Sequence, residues 1–261
     1  MAQESQVKDS TWRIIPAAVA GTSHIKRGLP CQDSYYWEIL PPGILVTAVA
    51  DGAGSAKLAE IGSEIAAGAV VETVRKNQSA LHFPPEDEEN WREFLLNCLK
   101  VARVSVAAEA ATRNVKVRDL ASTLILVIAK PEMVALAQVG DGAAVIEDSQ
   151  GNLISLSAPD SGEFINETSF LVSQGAIEAA QIKIWQGKAA KLAVFSDGLQ
   201  LLALQMASGL PYPPFFQPLF RFLAEAEDEK EAQMQLQKFL VSHRVTERTD
   251  DDVTLFLAAL V

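Results

Sequence analysis

The order of its apolar segments is the feature of this chain that most restricts its fold. Short segments rich in β-branched residues, such as 12–20 and 43–50, are bounded by proline or glycine, as is typical of buried strands. Longer segments with helical periodicity occur in pairs rather than after every strand. The order is therefore strands, a helix pair, a meander of strands, a second helix pair and a last strand. This order favours antiparallel sheets covered by helices over a parallel, doubly wound sheet.

Helical periodicity identifies the two helix pairs. In the first pair, one helix follows Asp51 and another spans residues 89–113, and we expect an antiparallel hairpin. The apolar face of the earlier helix is predicted to contain Ile61, Ile65, Ala69 and Val70. In the second pair, residues 199–208 and 216–242 have helical periodicity, with an interruption at the segment PYPPFFQP.

Strand-like segments fill residues 120–156. They are separated by Lys-Pro-Glu, Gly-Asp-Gly and Ser-Gln-Gly-Asn, which are typical of hairpin turns. Residues 157–180 are polar and irregular, so we predict a surface flap there, and flaps often line active sites. The segments IKIW, KLAVFS and DVTLFLAALV are further predicted strands.

Composition narrows the class of protein. No linker divides the 261 residues, so we expect one domain over 1–261. Lysines and arginines number 22 against 33 aspartates and glutamates, and basic residues cluster only in HIKR, which argues against binding to nucleic acid or an anionic membrane. The polar amino terminus and the lack of an apolar run of about 20 residues favour a cytoplasmic protein. Cys31 and Cys98 form no CxxC pair, so neither a thiolate zinc site nor a disulfide framework is indicated.

Aspartates at strand ends are the strongest functional signal. Asp51, Asp141 and Asp197 follow strand-like segments, Asp251 precedes the last one, and Asp33 lies at the start of another. A strand end fixes the backbone and leaves the side chain in a crevice, where carboxylates can share Mg²⁺ or Mn²⁺. Asp-Gly is also a common turn signal, so a structural role is the alternative wherever that pair occurs.

Six segments carry a resemblance to a known family. In this order and at these distances, they resemble the motif series of the type 2C metal-dependent protein phosphatases, bacterial branch: CQDSYYW, VADGAGSA, LASTLILVIA, AQVGDGAAVI, VFSDGL and DDDVTLFL. The likeness covers essentially residues 15–261. It implies an α+β fold, namely a four-layer αββα sandwich of two antiparallel β-sheets flanked by antiparallel helix pairs, with a small flap.

The resemblance also implies an activity and its cofactors. Such phosphatases hydrolyse phosphoserine and phosphothreonine in proteins by attack of a water that bridges two Mg²⁺ or Mn²⁺ ions, and bacterial relatives have a third, weaker site. Two divalent cations can lower the pKa of that water and bind phosphate oxygens during in-line displacement. A phosphorylated protein is therefore the expected substrate, and we expect a monomer.

Six residues acquire roles by matching the family's motifs. Asp51 matches the aspartate that bridges both metals, Gly52 matches the glycine whose carbonyl binds the second, and Asp197 and Asp251 match the outer ligands of the first. Asp33 matches an acidic residue that orients metal-bound water, and Asp141 matches a ligand of the third metal. Asp251 is the ligand by register, and Asp252 stands where asparagine is common.

The positions for phosphate binding and proton donation depart from the family pattern. An arginine usually lies a few residues before the position of Asp33, but here Gly-Leu-Pro lengthens the turn. The candidates for phosphate binding are therefore Lys26, Arg27 and His24. Ala53 stands where many eukaryotic relatives carry a histidine that is proposed to protonate the leaving alcohol. A metal-bound water or His24 is expected to supply that proton instead.

Two alternatives to an active metal-dependent phosphatase stay open. A pseudophosphatase would keep the fold as a phosphoprotein-binding regulatory module, which the altered DGAG and GDG motifs permit. An aspartyl-phosphate phosphatase would use Asp197 as its nucleophile and form a covalent phosphoenzyme. The second alternative fits poorly, because the strand order does not suggest a parallel sheet.

Overall fold

The computed structural model describes residues 12–157, 169–205 and 207–261. Its strands are β1 (Trp12–Val19), β2 (Ser34–Leu40), β3 (Ile44–Ala50), β4 (Leu124–Lys130), β5 (Met133–Val139), β6 (Ala143–Asp148), β7 (Leu153–Ser155), β8 (Gln181–Gln186), β9 (Ala189–Phe195), β10 (Leu204–Gln205), β11 (Leu210–Pro211) and β12 (Val253–Leu260). Its helices are α1 (Thr22–Arg27), α2 (Ala59–Lys76), α3 (Glu88–Thr112), α4 (Gln200–Ala203), α5 (Pro213–Glu225), α6 (Glu229–Leu240) and α7 (His243–Thr246). Short 3₁₀ turns span 78–82, 117–120 and 197–199.

Two five-stranded sheets form the centre of the described structure. One has the strand order β1-β12-β9-β6-β7 and the other has the order β2-β3-β4-β5-β8. Every pair of neighbouring strands in both sheets is antiparallel. The predicted α+β class with two antiparallel sheets is confirmed, and the parallel alternative is excluded for these strands.

The two sheets pack face to face through a buried apolar cluster. On β3, Leu45 and Val49 face this inter-sheet cluster, whereas Val46 and Ala48 face the helices on the other side. Because side chains alternate between the faces of a strand, a strand covered on both faces is apolar throughout. This explains the uninterrupted apolar segments of the sequence. Phe256 of β12 is fully buried in the same cluster and contributes about 1.5–3 kcal/mol by burial.

A helix pair covers the outer face of each sheet, which completes the four predicted layers. Helices α2 and α3 pack on the sheet that contains β3, with Trp91 and Leu95 fully buried. Helices α5 and α6 pack on the other sheet, where Phe216 and Phe220 of α5 are buried. Asp228 caps α6, since its side chain accepts hydrogen bonds from two backbone N–H groups of the first turn.

The predicted face of α2 is rotated from the observed one. Ile61, Ile65 and Ala69 are only partly buried, and the fully buried stripe consists of Ala66, Ala67, Val70 and Val74. The helix lies very close to its neighbours, because a Cβ on Gly62 would stand 2.2 Å from the carbonyl oxygen of Leu120. Close approach selects small residues for the buried face, and the larger isoleucines lie at its margin.

The second helical region differs from its prediction at three points. The predicted helix 199–208 was wrong beyond α4, since Leu204 begins a short hairpin of β10 and β11 whose turn uses Gly209 at φ 66°. PYPPFFQP is not an interruption, because α5 begins at Pro213, and a proline in the first helical turn removes an N–H that has no intrahelical partner. The segment 216–242 is not one helix, because 226–228 separates α5 from α6.

Two loop predictions are also corrected. Gly-Asp-Gly is not a hairpin turn, because β5 and β6 belong to different sheets and residues 140–142 cross from one to the other. The predicted flap lies partly outside the described residues, over 158–168. Its remaining part is not a loose surface segment, since Leu171, Ala176 and Ile177 are buried in the cluster beneath α2 and α3.

Among the described residues, no helix has the length and apolarity needed to cross a bilayer.

Candidate metal centre

The aspartates singled out in the sequence gather at one end of the two sheets. Asp51 directly follows β3, Asp33 directly precedes β2, and Asp197 lies two residues after the end of β9. The Ser196 hydroxyl joins two of these segments, since it donates to Asp33 Oδ2 at 2.7 Å across 163 residues of sequence. Strands from both sheets therefore deliver carboxylates to a common site.

The backbone around Asp51 is held on several sides. Asp51 N–H donates to Thr123 Oγ1 at 2.9 Å, and the N–H of Thr123 donates to the carbonyl of Asp51 at 2.8 Å. The next residue, Gly52, forms a bridge with Ser122 and donates its N–H to the carbonyl of Gln32 at 3.2 Å. A Cβ on Gly52 would stand 2.7 Å from that carbonyl oxygen, so only glycine fits. These contacts fix the backbone of Asp51 and Gly52, and with it the direction of the Gly52 carbonyl and the point from which the Asp51 side chain extends.

Asp33 is a buried acid with one satisfied oxygen. Burial raises the pKa of its carboxyl group to about 7. The side chains of Ser196 and Thr254 oppose the rise, and the charges of Asp252 and Asp197 add to it. Ser196 is itself positioned, because the N–H of Thr254 donates to its Oγ at 3.0 Å. Asp33 Oδ1 is buried and has no hydrogen-bond partner among the described residues.

Asp51 and Asp197 lie side by side. Burial raises the pKa of Asp197 to about 6, with further increases from Asp141 and Asp251 and an opposing hydrogen bond with Asp51. Burial, followed by the charges of Asp33 and Asp197, raises the pKa of Asp51 well above its ordinary value. Asp197 Oδ1 is buried without a partner in the described part of the chain. A hydrogen bond between two carboxyl groups needs a proton on one of them, so repulsion among the charged forms keeps the metal-free cluster from ionising fully.

The cluster fits a divalent cation. Within residues 12–157, 169–205 and 207–261, no lysine or arginine forms an ion pair with Asp33, Asp51 or Asp197. Buried carboxylates without a compensating cation are costly, and unpartnered carboxylate oxygens are the ligands that Mg²⁺ and Mn²⁺ prefer. The orphaned oxygens of Asp33 and Asp197 thus indicate where positive charge belongs.

Asp251 and Asp252 play different parts in the run of three aspartates. Asp250 and Asp251 are exposed, and Asp251 Oδ1 accepts the N–H of Asp252 at 2.8 Å. The charge of Asp251 raises the pKa of both Asp51 and Asp197, so it lies beside the cluster. Asp252 instead is buried and turned inward, with Oδ1 2.8 Å from His24 Nδ1.

Asp141 approaches the cluster from the crossing between the sheets. It is half-buried, and its charge raises the pKa of Asp197. Gln138 holds the turn, since its side-chain amide donates to the carbonyls of Gly140 at 2.9 Å and Gly142 at 2.6 Å. The predicted hairpin was wrong, but the crossing still places Asp141 near the other carboxylates.

The three basic candidates all lie on helix α1, in a segment for which the sequence predicted a turn. His24 is buried and bonded to Asp252, so it does not present an open side chain to the loop surface. Lys26 and Arg27 are exposed, and Arg27 Nε donates to the carbonyl of Ser23 at 3.1 Å. The N–H of Ser23 bonds the carbonyl of Asp250 at 2.9 Å, which places the helix against the segment that carries Asp251.

Sequence reasoning missed the polar residues that support the aspartates. Thr123, Gln138 and Ser196 act through contacts with residues of other strands or turns. Ser196 had a weak signal in the sequence, as a small polar residue directly before Asp197 in VFSDGL. No local pattern distinguishes Thr123 or Gln138 from ordinary strand-end residues.

Comparison with known proteins identifies the family of this chain. The family model for protein phosphatase 2C matches residues 20–241. Serine/threonine-protein phosphatase 3 of Escherichia coli (strain K12) is 35% identical over 254 residues, which cover 95% of this chain and 98% of that protein.

Solved structures share the fold. The serine/threonine phosphatase Stp1 from Staphylococcus aureus superposes with a TM-score of 0.66 at 14% identity, covering 100% of both chains. The catalytic domain of the serine/threonine phosphatase PstP, in complex with two manganese ions, superposes with a TM-score of 0.57 at 17% identity, covering 97% of this chain and 99% of that one. The family match and the sequence relative together show that this chain belongs to the protein phosphatase 2C family.

Proposed function

We propose that this chain is a Mg²⁺/Mn²⁺-dependent protein phosphatase that hydrolyses phosphoserine and phosphothreonine in other proteins. One observation carries the proposal: Asp33, Asp51 and Asp197 converge from three separate segments, and no basic side chain among the described residues forms an ion pair with them. Structural aspartates normally find basic or N–H partners, so an uncompensated cluster of this kind serves cation binding.

The residues divide the work of holding the cations. Asp51, the carbonyl of Gly52, Asp197 and Asp251 would hold two ions, and Asp141 would contribute to a third, weaker one. When bound, the divalent ions supply an activated water and positive charge for the phosphate oxygens. Asp33 Oδ1 has no partner among the described residues, so it can accept a hydrogen bond from the attacking water while Ser196 fixes its other oxygen.

Helix α1 provides the positive charge for the substrate. Lys26 and Arg27 are exposed beside the segment that contains Asp251, and an arginine can grip phosphate oxygens through two N–H groups. His24 is less suited to this role, because its Nδ1 is committed to buried Asp252. The same contact makes Nδ1 of His24 unsuited to protonating the leaving alcohol.

The alternatives are less well supported. A pseudophosphatase that only binds phosphoproteins would not need a complete set of carboxylate ligands. The 35% identical relative is named as a serine/threonine-protein phosphatase. An aspartyl-phosphate mechanism at Asp197 was expected to accompany a parallel sheet, whereas β9 pairs antiparallel with both of its neighbours. A single catalytic domain over 1–261, a monomeric state and a cytoplasmic location remain our predictions.

Phosphate release from p-nitrophenyl phosphate and from phosphoserine and phosphothreonine peptides tests the proposal. We expect turnover with MnCl₂ and none with EDTA. Asp51→Asn should abolish turnover, while Asp250→Asn, which removes the same charge from an exposed neighbour of Asp251, should keep it. Turnover that persists in EDTA, or wild-type protein that binds phosphopeptides without releasing phosphate, would refute the enzyme. A trapped phosphoenzyme would instead favour Asp197 as a nucleophile.

A further inference from the structure

Asp252 has contacts that its role in the sequence pattern does not explain. Its side chain is buried, with 2% of its surface exposed, and it receives three donors. Gly21 N–H donates to Oδ1 at 2.7 Å, His24 Nδ1 lies 2.8 Å from the same oxygen, and Gln32 N–H donates to Oδ2. A carboxylate has only acceptors, so it matches three donors and places the proton of His24 on Nδ1.

The contact with Gln32 leads directly to the candidate metal ligands. Gln32 precedes Asp33 in the chain, and its carbonyl accepts the N–H of Gly52 at 3.2 Å. The same carbonyl accepts the hydroxyl of Ser63 at 2.6 Å, which ties it to α2. Asp252 therefore holds Gln32, the residue that precedes Asp33 and whose carbonyl contacts Gly52.

The contacts with Gly21 and His24 lead to the remaining ligand. A Cβ on Gly21 would stand 2.2 Å from the carbonyl carbon of Asp251, so the segment before α1 touches the backbone of Asp251 directly. Asp252 N–H also donates to Asp251 Oδ1 at 2.8 Å, which orients that side chain. His24 is 3% exposed, and its contact with Asp252 connects helix α1 to these residues.

We propose that Asp252, with His24 as its buried partner, is a positioning residue that sets the spacing of Asp33, Gly52 and Asp251 around the cations. The inference rests on the proposed function, because it takes these three residues to surround metal ions. Three donors take up most of the about four acceptor sites of its two oxygens, so we assign Asp252 a supporting role rather than that of a ligand. Residues that orient metal ligands commonly change metal affinity by about 10–100-fold when they are replaced.

Four variants of the full chain separate positioning from general stabilisation. Asp252→Ala removes both carboxylate oxygens and leaves the three donors without their acceptor. His24→Ala removes one donor, whereas His24→Asn keeps an N–H on the atom attached to Cγ, close to the place of Nδ1. Asp250→Asn is the matched control, because it removes a neighbouring charge from an exposed side chain.

Titration calorimetry of the metal-free proteins with MnCl₂ provides the readout, with urea unfolding in EDTA to show that each variant is folded. We expect Asp252→Ala to weaken Mn²⁺ binding at least about tenfold. His24→Ala should weaken it, His24→Asn should restore it, and Asp250→Asn should stay within about threefold of the wild type. If Asp252→Ala does not fold, the His24 pair decides the question alone.

The outcomes distinguish this inference from the proposed function. A wild-type protein that does not bind Mn²⁺ would overturn both. A wild-type protein that binds Mn²⁺, with Asp252→Ala and His24→Ala less stable but unchanged in affinity, would overturn the positioning role alone. Loss of affinity in His24→Ala without recovery in His24→Asn would also contradict it, because the N–H bond to Asp252 would then not be what matters.

Discussion

The interior between the sheets and the acidic centre at their end are both secluded from water, yet their chemistry is opposite. Between the sheets, Leu45, Val127 and Phe256 are fully buried among other apolar side chains, and each favours the folded state. In the acidic centre, burial raises the pKa of Asp33 and Asp197, which means that their charged forms cost free energy.

The difference shows how the molecule divides stability from function. The apolar interior stabilises the pair of sheets. The ends of those sheets hold carboxylates close together, at positions that their mutual repulsion would disfavour if the fold did not fix them. Because the metal-free cluster is unfavourable, the free energy of ion binding has to offset its repulsion. The same side chains should therefore lower the stability of the metal-free protein and raise its catalytic power.

Asp51→Asn is the sharpest test of this opposition. We expect kcat for p-nitrophenyl phosphate to fall by at least about a thousandfold, since the residue is the proposed bridge between two cations and metal catalysis contributes several kcal/mol. In EDTA at pH 7.5 the variant should be more stable than the wild type, because a carboxyl group with a raised pKa has been removed. Steady-state kinetics and urea unfolding measure the two effects. A variant that loses both activity and metal-free stability would contradict the contrast.

Phe256→Ala probes the other region and should have the reverse signature. The side chain is fully buried between the sheets, so its truncation should lower the free energy of unfolding by about 3–5 kcal/mol. Activity per folded molecule should change little, since none of the acids is altered. Phe222→Ala is the matched control, because Phe222 is only partly buried against the outer helix layer and should cost less. Urea unfolding in EDTA measures the loss of stability in both variants. An equal loss would show that a side chain between the sheets contributes no more than one in the outer helix layer.

The strands and their acidic ends could be predicted because the signals are local. The apolar segment of β3 ends at Asp51 in the sequence itself, and the same holds for β9 and Asp197. Proline at position 213 misled the helix prediction, since the rule that proline breaks helices does not apply in the first turn. The sequence therefore predicts elements well where one segment alone decides the outcome.

The supporting contacts could not be predicted because their partners are distant in the chain. Asp252 meets Gln32 across 220 residues and Gly21 across 231, and no spacing rule connects such positions. The turn at 140–142 has the composition of a hairpin, but whether it joins neighbouring strands or crosses between sheets depends on the pairing of β6 with β9. Long-range pairing therefore decides which residues support the aspartates.

The pH dependence of stability should distinguish the two regions without any mutation. Asp33 and Asp197 have pKa values of about 7 and about 6 in the folded state, above the value of about 3.9 for an unfolded aspartate. The folded protein therefore binds more protons than the unfolded chain between these values, so metal-free stability is highest near pH 4 and falls as pH rises to 7. Between pH 5 and pH 7, the two shifts together should lower the free energy of unfolding by about 3.5 kcal/mol.

Urea unfolding at pH 5 and pH 7.5, in EDTA and in MnCl₂, measures this dependence. Protons compete with the metal for the same carboxylates, so the stabilisation by Mn²⁺ should be larger at pH 7.5 than at pH 5. Asp33→Asn should flatten the dependence in EDTA, since it removes one of the acids whose pKa is raised. A metal-free protein whose stability rises from pH 5 to 7.5 would show that these acids are not buried in their charged forms.

Asp141→Asn should give the smallest effect, because this residue lies at the margin of the centre. It is half-buried, and its effect on the pKa of Asp197 is smaller than those of burial and of the hydrogen bond with Asp51. A ligand of a third, weaker ion should alter kcat by less than about tenfold, or about 1.4 kcal/mol. The apparent Mn²⁺ requirement should rise without loss of the two tighter ions, which calorimetry can count. If Asp141→Asn instead abolishes turnover as Asp51→Asn does, the crossing between the sheets belongs to the centre proper, and the division between a bridging acid and a marginal one has to be abandoned.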